Sequence, residues 1–291
     1  MHGGRRRTLM IKGAMVLGAF LLLVCIVFGI DKILEYRQIL ITVQSFSLDE
    51  EKMRRFDIDP GVLEYYIEEQ KTGKLDAAEE VALHMMALDY KIPAMEPKKR
   101  GKITERLREK LKNRQEYKEL YGFYKTLLAD IVYFPVPNDL KGHETVGFDN
   151  SWGGKRTYGG ERQHEGCDVM TSNNKRGYFP IVSITDGVVE NKGWLKLGGY
   201  RIGIRSKSGC YYYYAHLFSY ADGIEIGDTI KAGELLGFIG DTGYSDIEGS
   251  TGNFDVHLHM GLYVTLEGKE VSVNPYPILK YLEKKKLSYY F

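Results

Sequence analysis

Four of the chain's seven histidines fall in three short motifs: His164-Glu165-Gly166-Cys167-Asp168, Tyr214-Ala215-His216-Leu217 and Val256-His257-Leu258-His259-Met260. If residues 257–259 are a strand, alternation points both of its histidines to one face, about 6.6 Å apart along the chain. One of them can then bind a metal while the other faces the same cavity. The same parity places His164 and Asp168 together if their stretch is extended, and turns Cys167 away. Two imidazoles and a carboxylate suit a catalytic zinc ion with a fourth position left for water. Such a metal lowers the pKa of its water and polarises a carbonyl. Either H-x-x-x-D or H-x-H alone arises often by chance, so the metal reading requires the motifs to converge in space.

Other candidates carry less chemistry. His84 stands among Leu83, Met85 and Met86 with no second ligand at a useful spacing, which reads as packing. The basic stretch Lys98 to Arg114 is interleaved with Glu105 and Glu109, which reads as a solvated helix face. Gly153-Gly154, Gly159-Gly160 and the glycines from Gly243 to Gly252 form no G-x-x-x-x-G-K-[ST] phosphate loop. They suit turns and the close approach of backbone to an extended ligand. Cys167 and Cys210 could form one bridge, but read more simply as buried thiols.

The elements that must hold these residues change character along the chain. From about Asp31 to Asp130 the pattern is helical. Ser47-Leu48-Asp49-Glu50 has capping-box spacing and Asp59-Pro60 places an N-cap before a proline. Val62, Tyr65 and Tyr66, then Val81, Met85 and Leu88, then Ile103, Leu107 and Leu111 recur at helical spacing. Phe134-Pro135-Val136-Pro137 ends that pattern. Beyond it, Gly187 to Val189, Tyr200 to Ile204, Tyr211 to Tyr214 and Leu235 to Ile239 read as strands between Gly, Asp and Asn turns.

With these motifs in this order, the chain resembles the lysostaphin-type or LytM-type peptidoglycan endopeptidases, the β-lytic zinc metallopeptidases. The resemblance runs from Ser151-Trp152-Gly153 through Arg162 to Asp168, Asp186 to Val189, Tyr214 to Leu217, Ile226 to Gly233, Gly237 to Gly243 and His257 to His259, ending at Asn274-Pro275. It implies one Zn2+ on His164, Asp168 and His259, and catalytic, non-ligand roles for His216 and His257. Residue spacing alone leaves His257 and His259 interchangeable. The implied reaction is attack of water on a peptide carbonyl, with His216 and His257 sharing proton transfer and oxyanion stabilisation. Tyr214, two residues before His216, would face the same side and line a substrate groove, with simple packing as the alternative. The twelve residues from Tyr244 to Asp255 are longer than the family's usual link, and bring Asp246, Glu248 and Asp255 near the site.

The fold expected is multidomain α plus β, ending in a mainly antiparallel β metallopeptidase domain. Residues 1–12 form a basic tail, 13–30 a transmembrane signal-anchor helix, 31–133 an extracytoplasmic helical region and 134–291 the zinc domain. The apolar run of 18 residues makes a helix of about 27 Å, enough to cross a bilayer. Arg5-Arg6-Arg7 and Lys12 before it put the N-terminus in the cytoplasm. A cleaved signal peptide is the rival reading, and a lipid on Cys25 a minor one. A formal charge of +1 gives no field that favours nucleic acid. The expected partners are peptidoglycan peptides and the bilayer, with protein partners unspecified. A silent scaffold of the same fold, or a latent enzyme covered by residues 31–130 or the loop at Asp149-Asn150, is the competing function. The occupant of the metal's fourth position separates latency from an open site.

Overall fold

The computed structural model describes residues 2–158 and 160–291. Gly159 of the Gly159-Gly160 pair and the side chains of Arg5-Arg6-Arg7 lie outside the described residues. The chain divides into two compact units, one reaching to Phe46 with Met86–Asp89, the other Ser47–Met85 with Tyr90–Phe291. In the first, one helix, His2–Gln44, carries the whole apolar run. Asp31 and Lys32 end that run without ending the helix, and Lys32 pairs with Glu35 one turn on at 3.0 Å. Leu17, Phe20, Leu23 and Phe28 are exposed on it, and the helix is long and apolar enough to cross a membrane.

The second unit begins with short helices. Asp49, rather than Ser47, caps Glu50–Arg55 by accepting from Lys52 N at 3.1 Å. Asp59 caps Pro60–Lys71 through Val62 N at 3.1 Å, with proline at the first position, as its sequence indicates. His84 is buried, with Nδ1 2.8 Å from Glu80 O and 3.2 Å from Tyr66 Oη, which is packing. The basic stretch presents a solvated face, with Lys102, Glu105, Glu109 and Lys112 exposed, while two of its arginines turn inward. Arg108 pairs with Glu79 and Glu80 at 3.0 and 2.7 Å, and Arg100 is buried over the Tyr65 ring.

These helices are fastened to the β part. Arg54 donates to Ser272 O and Ser272 Oγ, both at 2.9 Å, and Asn274 Nδ2 donates to Arg55 O at 3.1 Å. Lys284 pairs with Glu64 at 2.7 Å. The change at residue 134 is thus a change of secondary structure inside one unit.

The β part is built on a ten-stranded antiparallel sheet. Its central order is Gly187–Leu195, Gly199–Ser206, Tyr211–Tyr220, His257–Leu266 and Cys167–Thr171. Along the His257–Leu266 strand the apolar Leu258, Met260, Leu262 and Val264 are buried on one face. Alternation leaves His257 and His259 on the other. Cys167 and Val169 of the neighbouring strand join the core, and Asp168 faces the histidines. Cys167 and Cys210 are free thiols, and burial pushes both up to about 12.

Candidate active site

Register assembles the site in one row across the sheet. Asp168 lies opposite His259, and His259 opposite Ala215. His164 arrives from the loop before the Cys167 strand, so the single extended stretch expected for His164 to Asp168 is absent. It still reaches Asp168 because Gly166 lets the loop close over His259. A Cβ on Gly166 would lie 2.5 Å from His259 Cε1 and 2.7 Å from Met260 O, a clash no rotamer relieves.

Three atoms converge: His164 Nε2 is 2.9 Å from His259 Nδ1 and 3.0 Å from Asp168 Oδ1, and His259 Nδ1 is 3.0 Å from Asp168 Oδ1. His164 Nδ1 faces Ser151 O at 2.9 Å. A carbonyl only accepts, so Nδ1 carries the proton and Nε2 presents a lone pair. Three lone-pair atoms therefore share at most one proton, that of His259 Nδ1. A zinc ion bonded at about 2.0–2.2 Å would cap a triangle of this size, and the donor set is one zinc accepts. These three residues could hold a metal ion.

Asp168 is tuned by opposing effects. Burial raises its pKa, but the close contacts with the His164 and His259 rings and the charges of His259 and His257 outweigh it, holding the carboxyl well below its usual range. Its Oδ2 accepts from Arg156 Nη2 at 2.6 Å. Burial lowers the pKa of His259, with Asp168 partly offsetting it.

His257 and His216 stand beside this group with matching tautomers. His257 Nδ1 donates to Asp255 O and His216 Nδ1 to Thr242 O, each at 2.7 Å. Both Nε2 atoms are left with lone pairs. His257 Nε2 is 3.7 Å from Asp168 Oδ1, and the two rings are 4.8 Å apart. Burial, with His257 and His259 nearby, holds His216 well below the ordinary imidazole range. It stays neutral, with a lone pair on Nε2.

Tyr214 is not at this site. It is fully buried, and its hydroxyl accepts from Ile184 N at 2.9 Å, so packing is its role and Tyr213 lines the groove instead. A β-bulge is the cause. Tyr214 pairs with Ile202 and Leu217 with Tyr200, so Ala215 and His216 together oppose Arg201. His216 takes up the extra residue with φ +64°, which moves it to the face of Tyr211 and Tyr213. Parity counted from Tyr214 fails across a bulge.

The groove has a volume of about 940 Å³. From the long 244–255 segment Tyr244, Phe254 and Asp255 line it, whereas Asp246 pairs with Lys196 at 2.7 Å and Glu248 is not among the lining residues. Phe254 meets His216 at 4.6 Å between ring centres. Tyr244 stacks on Tyr158 at 4.6 Å, and Tyr158 Oη donates to Tyr244 O, so the Lys155–Gln163 hairpin and the long segment meet at the rim. Arg156, Tyr213 and Arg201 were silent in the sequence. Only the bulge and the hairpin register give them a place in the groove.

The model of "Peptidase family M23" matches residues 162–275. The structure superposes on that of a lytM protein from Ruminococcus gnavus ATCC 29149, provisionally described as a glycyl-glycine endopeptidase, with TM-score 0.72 and 39% identity over 86% of this chain and 97% of that one. The chain belongs to peptidase family M23. It is 36% identical over 169 residues to the L-Ala–D-Glu endopeptidase of Bacillus subtilis, covering 58% of this chain and 49% of that protein. It is 32% identical over 103 residues to lysostaphin of Staphylococcus simulans, covering 35% and 19%. The chain thus spans about half or less of these curated relatives. Family M23 is zinc-dependent and acts on peptidoglycan.

Proposed function

We propose that this chain is a membrane-anchored zinc endopeptidase that cuts peptides of peptidoglycan. The convergence of His164 Nε2, Asp168 Oδ1 and His259 Nδ1 within 2.9–3.0 Å carries the reading. In it, these three are the ligands, and zinc bound there would supply a Lewis acid for a peptide carbonyl. One of His216 and His257 accepts the proton of the attacking water at Nε2. The other, whose Nδ1 proton is held by a carbonyl, would first take a second proton at Nε2 and then donate it to the carbonyl oxygen as it gains charge, or to the leaving amine. Peptide bonds of the stems or cross-links are the substrate class, and the names of the relatives, an L-Ala–D-Glu endopeptidase and a glycyl-glycine endopeptidase, support it. The helix Met15–Gln44 supplies the anchor, with its basic N-terminus cytoplasmic and the peptidase outside.

Every residue lining the groove falls between Arg156 and Glu270. Among the described residues, neither 47–85 and 90–130 nor Asp149 and Asn150 line it, which favours an open site over a latent one. The Asp149 to Ser151 loop has another task. Its carbonyls accept from Cys167 Sγ and His164 Nδ1, holding the first motif from behind.

The test is digestion of purified sacculi by the zinc-loaded full chain in detergent, with mass analysis of released fragments. Fragments ending at new peptide termini, lost on adding a chelator and regained with zinc, are expected. A folded, zinc-loaded chain that releases none would support the scaffold alternative.

Arg156 gives a second expectation. Its 2.6 Å hydrogen bond orients Asp168 by the oxygen turned away from the two histidines. Outer partners of this kind are worth about 10- to 100-fold in metal affinity. Arg156→Gln should weaken zinc binding by that factor in competition with a chromogenic chelator, while circular dichroism stays that of the parent. Unchanged affinity would leave Arg156 as a wall residue only.

A further inference from the structure

Two cations in the groove, Arg162 and Arg201, have no carboxylate partner among the described residues, and the guanidinium of Arg201 has no hydrogen bond either. Arg201 is half-buried on the Gly199–Ser206 strand and lines the groove, yet its Nη1 is buried with no hydrogen-bond partner. No ion pair or hydrogen bond of its guanidinium occurs among the described residues. The neighbouring Arg205, two residues along the strand, is fully engaged. It pairs with Glu190 at 2.6 and 2.7 Å, donates to Gly209 O at 3.0 Å and reaches Glu270.

The acids that line the groove are already committed. Glu270 is held by Arg205, Glu165 by Arg54 at 3.2 Å, and Asp255 accepts from Asn174 at 3.2 Å. Asp168 has its histidines and Arg156. Of the other arginines in the groove, Arg162 has a buried Nε without a partner too, but its Nη2 donates to Tyr244 Oη at 3.1 Å and its guanidinium lies over that ring. Arg201 alone among these presents a guanidinium that nothing on the protein answers. Leaving such a donor dry is unfavourable unless something else fills the place.

Its position is set by register. Arg201 opposes the Ala215-His216 bulge, and Ala215 opposes His259, so Arg201 stands two strands from the proposed metal site, about 10 Å between backbones. A peptide laid across the row, with its scissile carbonyl at His164, Asp168 and His259, passes Arg201 within two or three residues. Tyr211 and Tyr213 wall the path between them. A guanidinium at this distance is suited to a planar carboxylate, which it can bind through two hydrogen bonds.

We propose that Arg201 binds a free carboxylate of the substrate, so that the site selects acidic peptides over uncharged ones such as oligoglycine. This rests on the peptidase reading, and deepens it by fixing the charge of the substrate. The test uses the zinc-loaded full chain in detergent and two peptides that differ only in one glutamyl residue near the cleaved bond, free acid in one and carboxamide in the other. Cleavage is followed by mass spectrometry and binding by calorimetry. The parent should prefer the acid by about 10- to 100-fold in kcat/KM, as a charge-assisted hydrogen bond is worth. Arg201→Gln should bring the acid-to-amide ratio to about one, mainly through KM, and Arg201→Lys should restore part of it. A parent without preference, or an Arg201→Gln variant that keeps the parent's ratio, would overturn the assignment. If neither peptide is cut but the parent binds the acid more tightly and Arg201→Gln does not, the carboxylate site stands and the peptidase reading fails. Equal binding of both peptides by the parent would remove the carboxylate site.

Discussion

His259→Ala is expected to abolish wall digestion and to strip the site of stoichiometric zinc. This is the largest effect expected of any single substitution here. His259 Nδ1 touches both His164 Nε2 and Asp168 Oδ1, so its loss leaves two ligands where three converge. The drop in zinc affinity should exceed the roughly 10- to 100-fold attached to an outer partner. Metal analysis after dialysis and the sacculus assay read the two consequences together. The fold should survive, since the void opens toward the groove and the core face of that strand, Leu258, Met260 and Leu262, is untouched. A His259→Ala chain that keeps one zinc per molecule and still cuts would remove His259 from the ligand set.

His216→Asn should instead keep the zinc and lose the turnover. A positioned general base or acid contributes typically 10²–10⁴-fold, and kcat should fall by about that factor with KM little changed. Asparagine is chosen over alanine because His216 has φ +64°, a conformation asparagine tolerates. Its side-chain amide can also donate toward Thr242 O, which otherwise loses the proton of Nδ1. The comparison with His259→Ala is decisive: zinc gone in one variant, zinc present and catalysis gone in the other. Equal zinc loss in both would make His216 a ligand or a support of the ligands.

The contrast between the two histidines also shows what can be read from residue order. Strand alternation is local, set by the pleat, so His257 and His259 share a face wherever their strand lies. The four apolar positions that alternate with them fixed which face is core. The caps follow the same logic: Asp59 before Pro60 works within one turn, and its sequence suffices. The candidate donors were legible as residue types, because two imidazoles and a carboxylate are a set that zinc accepts. Choosing His259 over His257 as ligand needed the family resemblance, since spacing treats them alike.

Other features belong to the tertiary structure alone. The bulge at Ala215-His216 depends on pairing with the Gly199–Ser206 strand, which no local pattern records. It exchanged Tyr214 for Tyr213 in the groove. Arg156 and Asp168 are twelve residues apart and meet because a hairpin folds back. Arg201 is one basic residue among 40, distinguished only by where its possible partners went: Glu190 and Glu270 are taken by Arg205. What the sequence by itself determined was the helical and β halves, the shared face of His257 and His259 and the identity of the candidate donors. The convergence of those donors, and the charge left open beside them, was decided by long-range strand register, because register sums contacts across the whole sheet.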